Sequence, residues 1–418
     1  MKRSEMKSAN SFYIKQFNRS KVLNLIRKRG SISKAEISKT INLTFTTITN
    51  IILELLEQGL IVEGGYDKSK GGRKPTLYKL NLTFTYIISV ELVFTKIRAV
   101  IINLNSEIIS ESTTEINHLS NSEIIIESLF KTIDEVIKKS RVTMNKISGI
   151  GITSPGPVDH EKGIVLNAPQ FKSWSNISLR KIIAEKYGVM TILEKDSNAA
   201  TFGELWSGVA IEKEDVVTYQ INYGIGGGIV KNQKLYYGAH NGAGELGHGT
   251  VNIDGPRCDC GNYGCLEVYS SVLAIIQRVK KELSLNKASC LQKIYEKNNE
   301  EITFEKITTA AKKGDELSIS ILNESARYLG ASIANVINYL NPEFIVLGGM
   351  LIDQYPFIIK EIKKEVRKRI LPYFYSNTKI VKSTLGVNAD LIGGASIVIK
   401  NLFDNSENLF SNEEGKSE

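Results

Sequence analysis

The chain has 418 residues, 42% of them hydrophobic and 23% charged, with only 8 prolines, which is the composition of folded domains and not of a disordered chain. That length exceeds one ordinary domain and fits two or three. The formal charge of +8 is unevenly placed: residues 1–80 carry 16 Lys/Arg against 6 Asp/Glu, a net of +10, and the remaining 338 carry 37 against 39, a net of −2. All of the excess lies at the N-terminal end, as expected of a module that meets a polyanion.

Other classes fall away on pattern. Met1–Asn10 is basic, but no apolar stretch follows to complete a secretory signal. No apolar run approaches the roughly 20 residues needed to span a bilayer. Three of the 4 cysteines fall in one eight-residue window, which is no disulfide framework for a chain of this size and reads as a metal site in a reducing compartment. The expectation is a cytoplasmic protein with no membrane partner.

In chain order, the first eighty residues predict three helices and a hairpin. Val22, Leu23 and Ile26 share one helical face, and Gly30 stops that helix. Ser33 and Glu36 have the spacing of a capping box and start a second helix through Ile37 and Ile41. Thr44 caps a third, whose apolar residues Ile48, Ile51, Ile52, Leu55 and Leu56 run up to Gly59. The tight connection at 41–43 makes this pair a helix-turn-helix with the later helix as reader. Thr46, Thr47 and Asn50 lie on its exposed N-terminal face, where small polar groups reach base edges or phosphates.

Two strands, 60–63 and 77–80, then form a wing around Lys68-Ser69-Lys70-Gly71-Gly72-Arg73-Lys74-Pro75. Arg73 and Lys74 are placed to contact phosphates or to enter the minor groove. The DNA-contacting set is therefore Thr44, Thr46, Thr47, Asn50, Arg73 and Lys74. The competing reading is a small helical dimerisation module with a solvated basic loop. Capping box, Thr-rich helix, wing and +10 together favour double-stranded DNA as partner.

From Tyr86 the pattern changes to α/β. A strand at 87–90 and another at 96–104 are followed by an amphipathic helix through Ile126, Leu129, Phe130, Ile133 and Ile137. A similar strand, Gly-rich turn and strand recur at 216–222 and 228–231. Helices follow near 268–283 and from Leu317 to Leu340, and Phe344–Leu347 reads as a buried strand. Two α/β halves, each opened by a hairpin, predict a duplicated architecture with a cleft between them.

Two motifs carry chemistry. His248 with Cys258, Cys260 and Cys265 supplies three thiolates and an imidazole, a closed tetrahedral set for one structural zinc ion per chain. Gly261 and Gly264 let the chain fold back so that Cys265 reaches the same ion. The competing reading is three reduced core cysteines. The second motif, Gly224-Ile225-Gly226-Gly227-Gly228, reads as a turn able to wrap a phosphate through backbone N–H groups, or equally as a hairpin needing positive φ.

These residues resemble the ROK family, which groups sugar-responsive repressors with sugar kinases. The resemblance runs from about Asn18 to Lys400. Its strongest part is Gly242-Ala243-Gly244-Glu245-Leu246-Gly247-His248 followed by Cys258-x-Cys260-Gly261-x-x-Gly264-Cys265-Leu266-Glu267. Ser154-Pro155-Gly156-Pro157-Val158-Asp159, Glu194-x-Asp196-x-Asn198-Ala199-Ala200 with Gly203-Glu204, and Asn341-Pro342 with Gly348-Gly349 support it. The basic N-terminal module resembles the repressor branch, especially xylose repressors. The resemblance implies an α/β chain in which a winged helix-turn-helix precedes a two-lobed actin-like, sugar-kinase-type domain. The expected division is 1–82 for the DNA-binding domain, 83–205 for the first lobe, 206–403 for the second lobe with the zinc, and 404–418 for a disordered tail.

The resemblance also implies sugar contacts at Asp196, Glu245, His248 and Glu267, since carboxylates accept hydrogen bonds from vicinal hydroxyls. His248 is expected to put one ring nitrogen on zinc and offer the other N–H to the sugar. The family's Asn before Asp196 is replaced by Lys195, which makes an acidic or phosphorylated sugar conceivable. Kinase members open with Asp-x-Gly-Gly-Thr at the first hairpin, where this chain has Glu91-Leu92-Val93-Phe94-Thr95, and Asn222-Tyr223 stand where kinases have Gly-Thr. With both phosphate loops altered, Asp196 reads as a sugar contact and not as a catalytic base.

The expected function is a sugar-responsive repressor, a homodimer or tetramer on a palindromic operator, with no catalytic residue. The alternatives are a sugar kinase with an appended regulatory domain, and a regulator that senses zinc or redox state through its cysteines.

Overall fold

The computed structural model describes residues 3–66, 74–168, 171, 173–297, 302–375 and 377–405. It opens with α1 (Arg3–Arg29), which ends at Gly30 with φ +72°. A short strand, β1 (Ile32–Ser33), leads into α2 (Lys34–Ile41). The Ser33 hydroxyl accepts the Glu36 N–H while the Glu36 carboxylate accepts the Ser33 N–H, the reciprocal cap the sequence predicts. Asn42, left-handed at φ 55°, turns the chain toward α3 (Phe45–Glu57), whose first turn is capped by Thr44. The wing is β2 (Ile61–Tyr66) antiparallel to β3 (Thr76–Leu80), with β1 along the far side of β3. The wing tip from Lys68 to Arg73 lies outside the described residues.

The first lobe comprises β4 (Tyr86–Val93), β5 (Lys96–Asn103), β6 (Ile108–Glu115), α4 (Ser122–Ser140), β7 (Ile147–Ser154), β8 (Val158–Asp159), β9 (Ile164–Asn167), β10 (Ser175–Ile177), α5 (Leu179–Tyr187), β11 (Met190–Lys195) and α6 (Asp196–Ser207). Its main sheet has the order β11-β7-β4-β5-β6; β11, β7 and β4 are parallel, and β4, β5 and β6 antiparallel. β4 is buried on both faces, as its unbroken apolar run requires.

The second lobe comprises β12 (Val216–Ile221), β13 (Ile225–Lys231), β14 (Lys234–Leu235), α7 (Glu267–Ser270), α8 (Val272–Ser284), α9 (Gln292–Lys297), α10 (Phe304–Lys312), α11 (Glu316–Leu340), β15 (Phe344–Gly348), α12 (Met350–Gln354), α13 (Ile358–Arg367), α14 (Pro372–Tyr375) and β16 (Lys379–Lys382). Its sheet, β14-β13-β12-β15-β16, repeats the first in order and in strand direction. The duplicated architecture read from the two hairpins is thus a property of the fold.

The last helix, α15 (Ala389–Asp404), departs from the expected division. It leaves the second lobe and packs on β4, β5, β7 and β11 of the first, crossing α6 closely on the way. Small residues make this possible: a Cβ on Gly393 would lie 1.7 Å from the Ala199 carbonyl oxygen, so only glycine lets the two helices touch there. Asp404, expected in the tail, ends this helix and accepts a hydrogen bond of 2.5 Å from Ser20 Oγ of α1. Residues 406–418 of that expected disordered tail lie outside the described residues.

The N-terminal module is welded to the body. One apolar cluster holds Val22, Ile26, Ile48, Ile52 and Leu60 of the module together with Trp206, Leu402 and Phe403 of the body. Arg27 stacks its guanidinium on the Trp206 ring at 3.7 Å and donates to the Trp206 carbonyl at 2.8 Å. Burial without an acidic partner lowers its pKa to about 10. No helix among the described residues is long and apolar enough to cross a membrane.

Because module and body share one core, they are expected to unfold together. Trp206→Ala should cost about 3–5 kcal/mol in urea denaturation, and Arg27→Met less, about 1–3 kcal/mol. An N-terminal transition of the wild-type chain separate from that of the body would contradict the shared core.

Candidate functional site

The Gly-rich segment behind the second hairpin does neither of the things its sequence offered. Gly226, Gly227 and Gly228 lie in strand β13, none with positive φ. A Cβ on Gly226 would come within 2.9 Å of Ser197, one on Gly227 within 2.4 Å of Leu246, and one on Gly228 within 2.1 Å of Thr201. These glycines seat the strand against α6 and against the loop of Glu245–His248. The turn itself is Asn222-Tyr223-Gly224, and its Asn222 Oδ1 accepts the Met350 N–H at 2.8 Å. The tip of the first hairpin carries Phe94, which stacks on His118 at 3.8 Å and lies 5.8 Å from Tyr223 of the second. The two hairpin tips thus meet through aromatic rings.

Below those tips, Glu91 is buried and bound by Arg98 at 3.0 Å. The same guanidinium reaches Glu111 at 2.9 Å, the Val387 carbonyl at 2.9 Å and Asn388 Oδ1 at 2.6 Å, tying the first hairpin to the start of α15. Burial, with Glu91 and Asp196 nearby, holds the Asp390 carboxyl well above the usual carboxylate range.

The expected sugar contacts gather where β11 runs into α6. Asp196 is the first residue of that helix; its carboxylate accepts the Ser197 N–H at 2.5 Å. Burial nevertheless raises its pKa, against the pull of Lys195 and of that N–H. Lys195 is almost fully buried and donates to Glu245 Oε1 at 2.5 Å. Glu245 and His248 stand at the two ends of one short turn, whose His248 N–H donates to the Glu245 carbonyl at 3.1 Å. Glu267 opens α7, and its Oε2 accepts the Ile225 N–H at 2.7 Å. Asp196, Glu245, His248 and Glu267 are all partly exposed. Lys195 joins the end of β11 to the turn that carries Glu245.

Four further groups were given no role from the sequence. Glu194, buried, accepts hydrogen bonds from the Lys195 N–H at 2.9 Å, Asn198 Nδ2 at 3.0 Å and Tyr237 Oη at 2.8 Å. Tyr237 in turn stacks on His160 at 3.8 Å. Asn198 and Glu194 belong to the quoted motif, so their spacing from Asp196 was a usable signal. Tyr237 and His160 had none, since their partners are far away along the chain.

The four expected metal ligands converge. The donor atoms of His248, Cys258, Cys260 and Cys265 all lie within 4.8 Å of one another. Cys260 Sγ is 3.7 Å from Cys265 Sγ, and Cys258 Sγ is 3.8 Å from His248 Nδ1. A tetrahedron with arms of about 2.3 Å has edges of about 3.8 Å, so the spacing fits a four-coordinate ion. Gly264, at φ +63°, is indispensable to the loop, because a Cβ there would sit 1.6 Å from the Asn252 carbonyl oxygen. Burial and the neighbouring thiols push Cys265 up to about 12, so the group resists ionisation until a cation offsets it.

On the N-terminal module, Thr46 and Asn50 are exposed and Thr47 is half-buried. Thr44 and Thr47 turn their hydroxyls to each other at 2.8 Å, which engages both inside the helix cap. Lys74 is exposed at the end of the wing, and Arg73 lies outside the described residues.

Comparison with known proteins identifies the family. Residues 87–401 match the model of the ROK family, and residues 18–62 a winged helix-turn-helix DNA-binding model. The chain is 33% identical to a xylose repressor of Caldicellulosiruptor bescii, over 94% of this chain and 98% of that one. It superposes with a TM-score of 0.81 and 31% identity on a ROK family transcriptional regulator described as a homologue of the E. coli MLC protein, covering 96% of this chain and 100% of that one. A ROK family glucokinase from Streptomyces griseus, solved with glucose and AMPPNP, matches 75% of this chain and 98% of its own at 27% identity and a TM-score of 0.67.

The purified chain is expected to carry one transition-metal equivalent, and a Cys258→Ala/Cys265→Ala variant none, by elemental analysis. Cys290→Ala, outside the cluster, should leave the content unchanged. Equal metal in all three would remove the four-ligand assignment.

Proposed function

From the premise that this chain belongs to the ROK family, we propose that it is a sugar-responsive, DNA-binding transcriptional regulator, a repressor of genes for the use of xylose or a related sugar. The observation that carries this reading is helix α6. Its first residue, Asp196, is in the cleft, and Trp206 near its last turn holds Arg27 of the DNA module. Twelve residues at 1.5 Å each make a strut of about 18 Å. A sugar that prefers one closure of the cleft would tilt this strut and move the reading helices. Only a difference in affinity between the two closures has this effect; tight binding alone shifts nothing.

Asp196, Glu245, His248 and Glu267 are the sugar-contacting groups in this reading. Zinc is the ion that best suits three thiolates and an imidazole, and a closed set of four protein ligands makes it structural. With Nδ1 of His248 facing the thiols, the ion would fix the tautomer and leave Nε2–H for a sugar hydroxyl. The DNA contacts are Thr46, Asn50, Arg73 and Lys74, with Thr44 and Thr47 shaping the helix end. A homodimer would set two such helices about 34 Å apart on a palindromic operator.

Lys195 bears on the effector. With Glu245 paired to it, a neutral polyol must share or displace an ammonium to use that carboxylate. A ligand bearing a carboxylate or phosphate can instead take the Lys195 charge itself. The kinase alternative is less well supported. Phosphoryl transfer needs a cradle for the nucleotide phosphates, and here Arg98 occupies Glu91, Phe94 and Tyr223 fill the hairpin tips, and the β13 glycines are packed against α6.

Fluorescence anisotropy on DNA from the chain's own upstream region, with pentoses, hexoses, sugar acids and sugar phosphates, tests this reading. Sequence-selective binding is expected, and one sugar class should change it at least about tenfold, a coupling of about 1.4 kcal/mol. Asp196→Asn should abolish the sugar response and keep DNA affinity, and Lys195→Asn should shift preference toward neutral sugars. Failure to bind DNA selectively under any condition would sink the reading. ATP turnover that disappears in Asp196→Asn would favour the kinase.

A further inference from the structure

The reading end of α3 is more apolar than its sequence pattern implies. Of the four groups expected there, Thr44 and Thr47 spend their hydroxyls on each other and on the helix cap, since Thr44 Oγ1 also accepts the Thr47 N–H at 3.2 Å. Thr46 and Asn50 keep exposed polar ends. Between the cap and Thr46 stands Phe45, the first residue of the helix, with 57% of its surface exposed. The apolar stripe of α3 that meets the core is Ile48, Ile51, Ile52 and Leu55, all buried. Phe45 flanks that stripe but lies beyond its end, so its ring projects from the module instead of closing it.

A recognition helix places its N-terminal residues against base edges in the major groove. The groove floor offers hydrogen-bond donors and acceptors and one apolar group, the 5-methyl of thymine. A benzyl side chain at the helix tip has no hydrogen bond to give, and thymine alone among the four bases presents it a methyl group. Resting on the DNA-binding reading above, the geometry points to Phe45 as a base-reading residue that selects a thymine in each operator half-site through contact with its 5-methyl group. Thr46 and Asn50 supply the polar part of the same reading surface, with Asn50 suited to a neighbouring adenine through its amide. Leu53 is also exposed, at 48%, but lies two turns further along α3, away from the reading tip.

The test uses the full-length chain and duplexes that it selects from a random pool. The selected half-site is expected to contain a fixed thymine. Replacing that thymine by deoxyuridine, which removes only the methyl, should weaken the wild-type chain roughly three- to tenfold, on the scale of one buried methyl or a little more. The same replacement should leave Phe45→Ala unaffected, and Phe45→Leu, which keeps an apolar end, should retain part of the discrimination. Leu53→Ala should discriminate like the wild type. Circular dichroism melting of each variant identifies any loss due to misfolding, and Phe45→Leu keeps the comparison open if Phe45→Ala melts early. If deoxyuridine weakens wild type and both Phe45 variants equally, or weakens none of them, Phe45 does not read thymine. If the wild-type chain selects no sequence at all, the DNA-binding reading falls first and this one with it.

Discussion

The close crossing of α6 and α15 is the constraint on which the arrangement of this molecule depends. Gly393 brings α15 into contact with the Ala199 backbone, and Gly203 does the same from the other side, where a Cβ would lie 2.6 Å from the Ala389 carbonyl oxygen. Glu204, fully buried, fixes the crossing by accepting hydrogen bonds from Ser383 Oγ at 2.5 Å, the Leu385 N–H at 3.3 Å and the Val209 N–H at 2.9 Å. A buried carboxylate is tolerated only when its lone pairs are filled in this way. Thr384 Oγ1, at 3.4 Å, is a fourth donor, so each of the two oxygens is met from two sides. The two helices are therefore packed as one body, and that body reaches Asp196 at one end and the DNA module at Trp206, Phe403 and Asp404 at the other.

Much of this was legible in the sequence, for reasons that differ from element to element. The capping box at Ser33–Glu36 and the cap at Thr44 are local chemistry, decided by residues three apart, and they form as the spacing predicts. The metal cluster was readable because thiols and an imidazole with intervening glycines serve few purposes besides coordination. The two hairpins announced a duplicated body because unbroken apolar runs followed by turns recur in both halves.

What escaped was non-local. Nothing near residues 389–404 tells that this helix returns to the first sheet, since its partners Gly151, Ala199 and Gly203 are far away in sequence. The Gly-rich run at 224–228 was misread because glycine has two uses, positive φ and close approach, and the letters alone do not separate them. Its role became clear only with Ser197, Leu246 and Thr201 in place against it. Phe45 was passed over because the apolar residues of a helix are ordinarily read as core, and this one sits one turn beyond where the core ends.

The charge pattern of the cleft follows from the same logic of unpaired groups. Glu194, Lys195, Asp196 and Glu245 crowd the end of β11, and a set of carboxylates taken out of water is unstable unless some are neutralised. Glu194 is raised above the usual carboxylate range by burial, although Asn198, Tyr237 and the Lys195 N–H bind it. Lys195 offsets Glu245 directly. In a cleft where the family's Asn stood in this place, the same carboxylate would be free to meet a neutral hydroxyl. Exchanging an amide for an ammonium therefore changes what Glu245 is already bound to. On the proposed reading, an incoming ligand is selected less by the number of carboxylates it meets than by whether it can take over the partner that Glu245 gives to Lys195, or the one that Lys195 gives to Glu245. On the proposed reading, ligand preference and the arrangement of the two lobes then become one question, because that ion pair already joins β11 of the first to the Glu245 turn of the second.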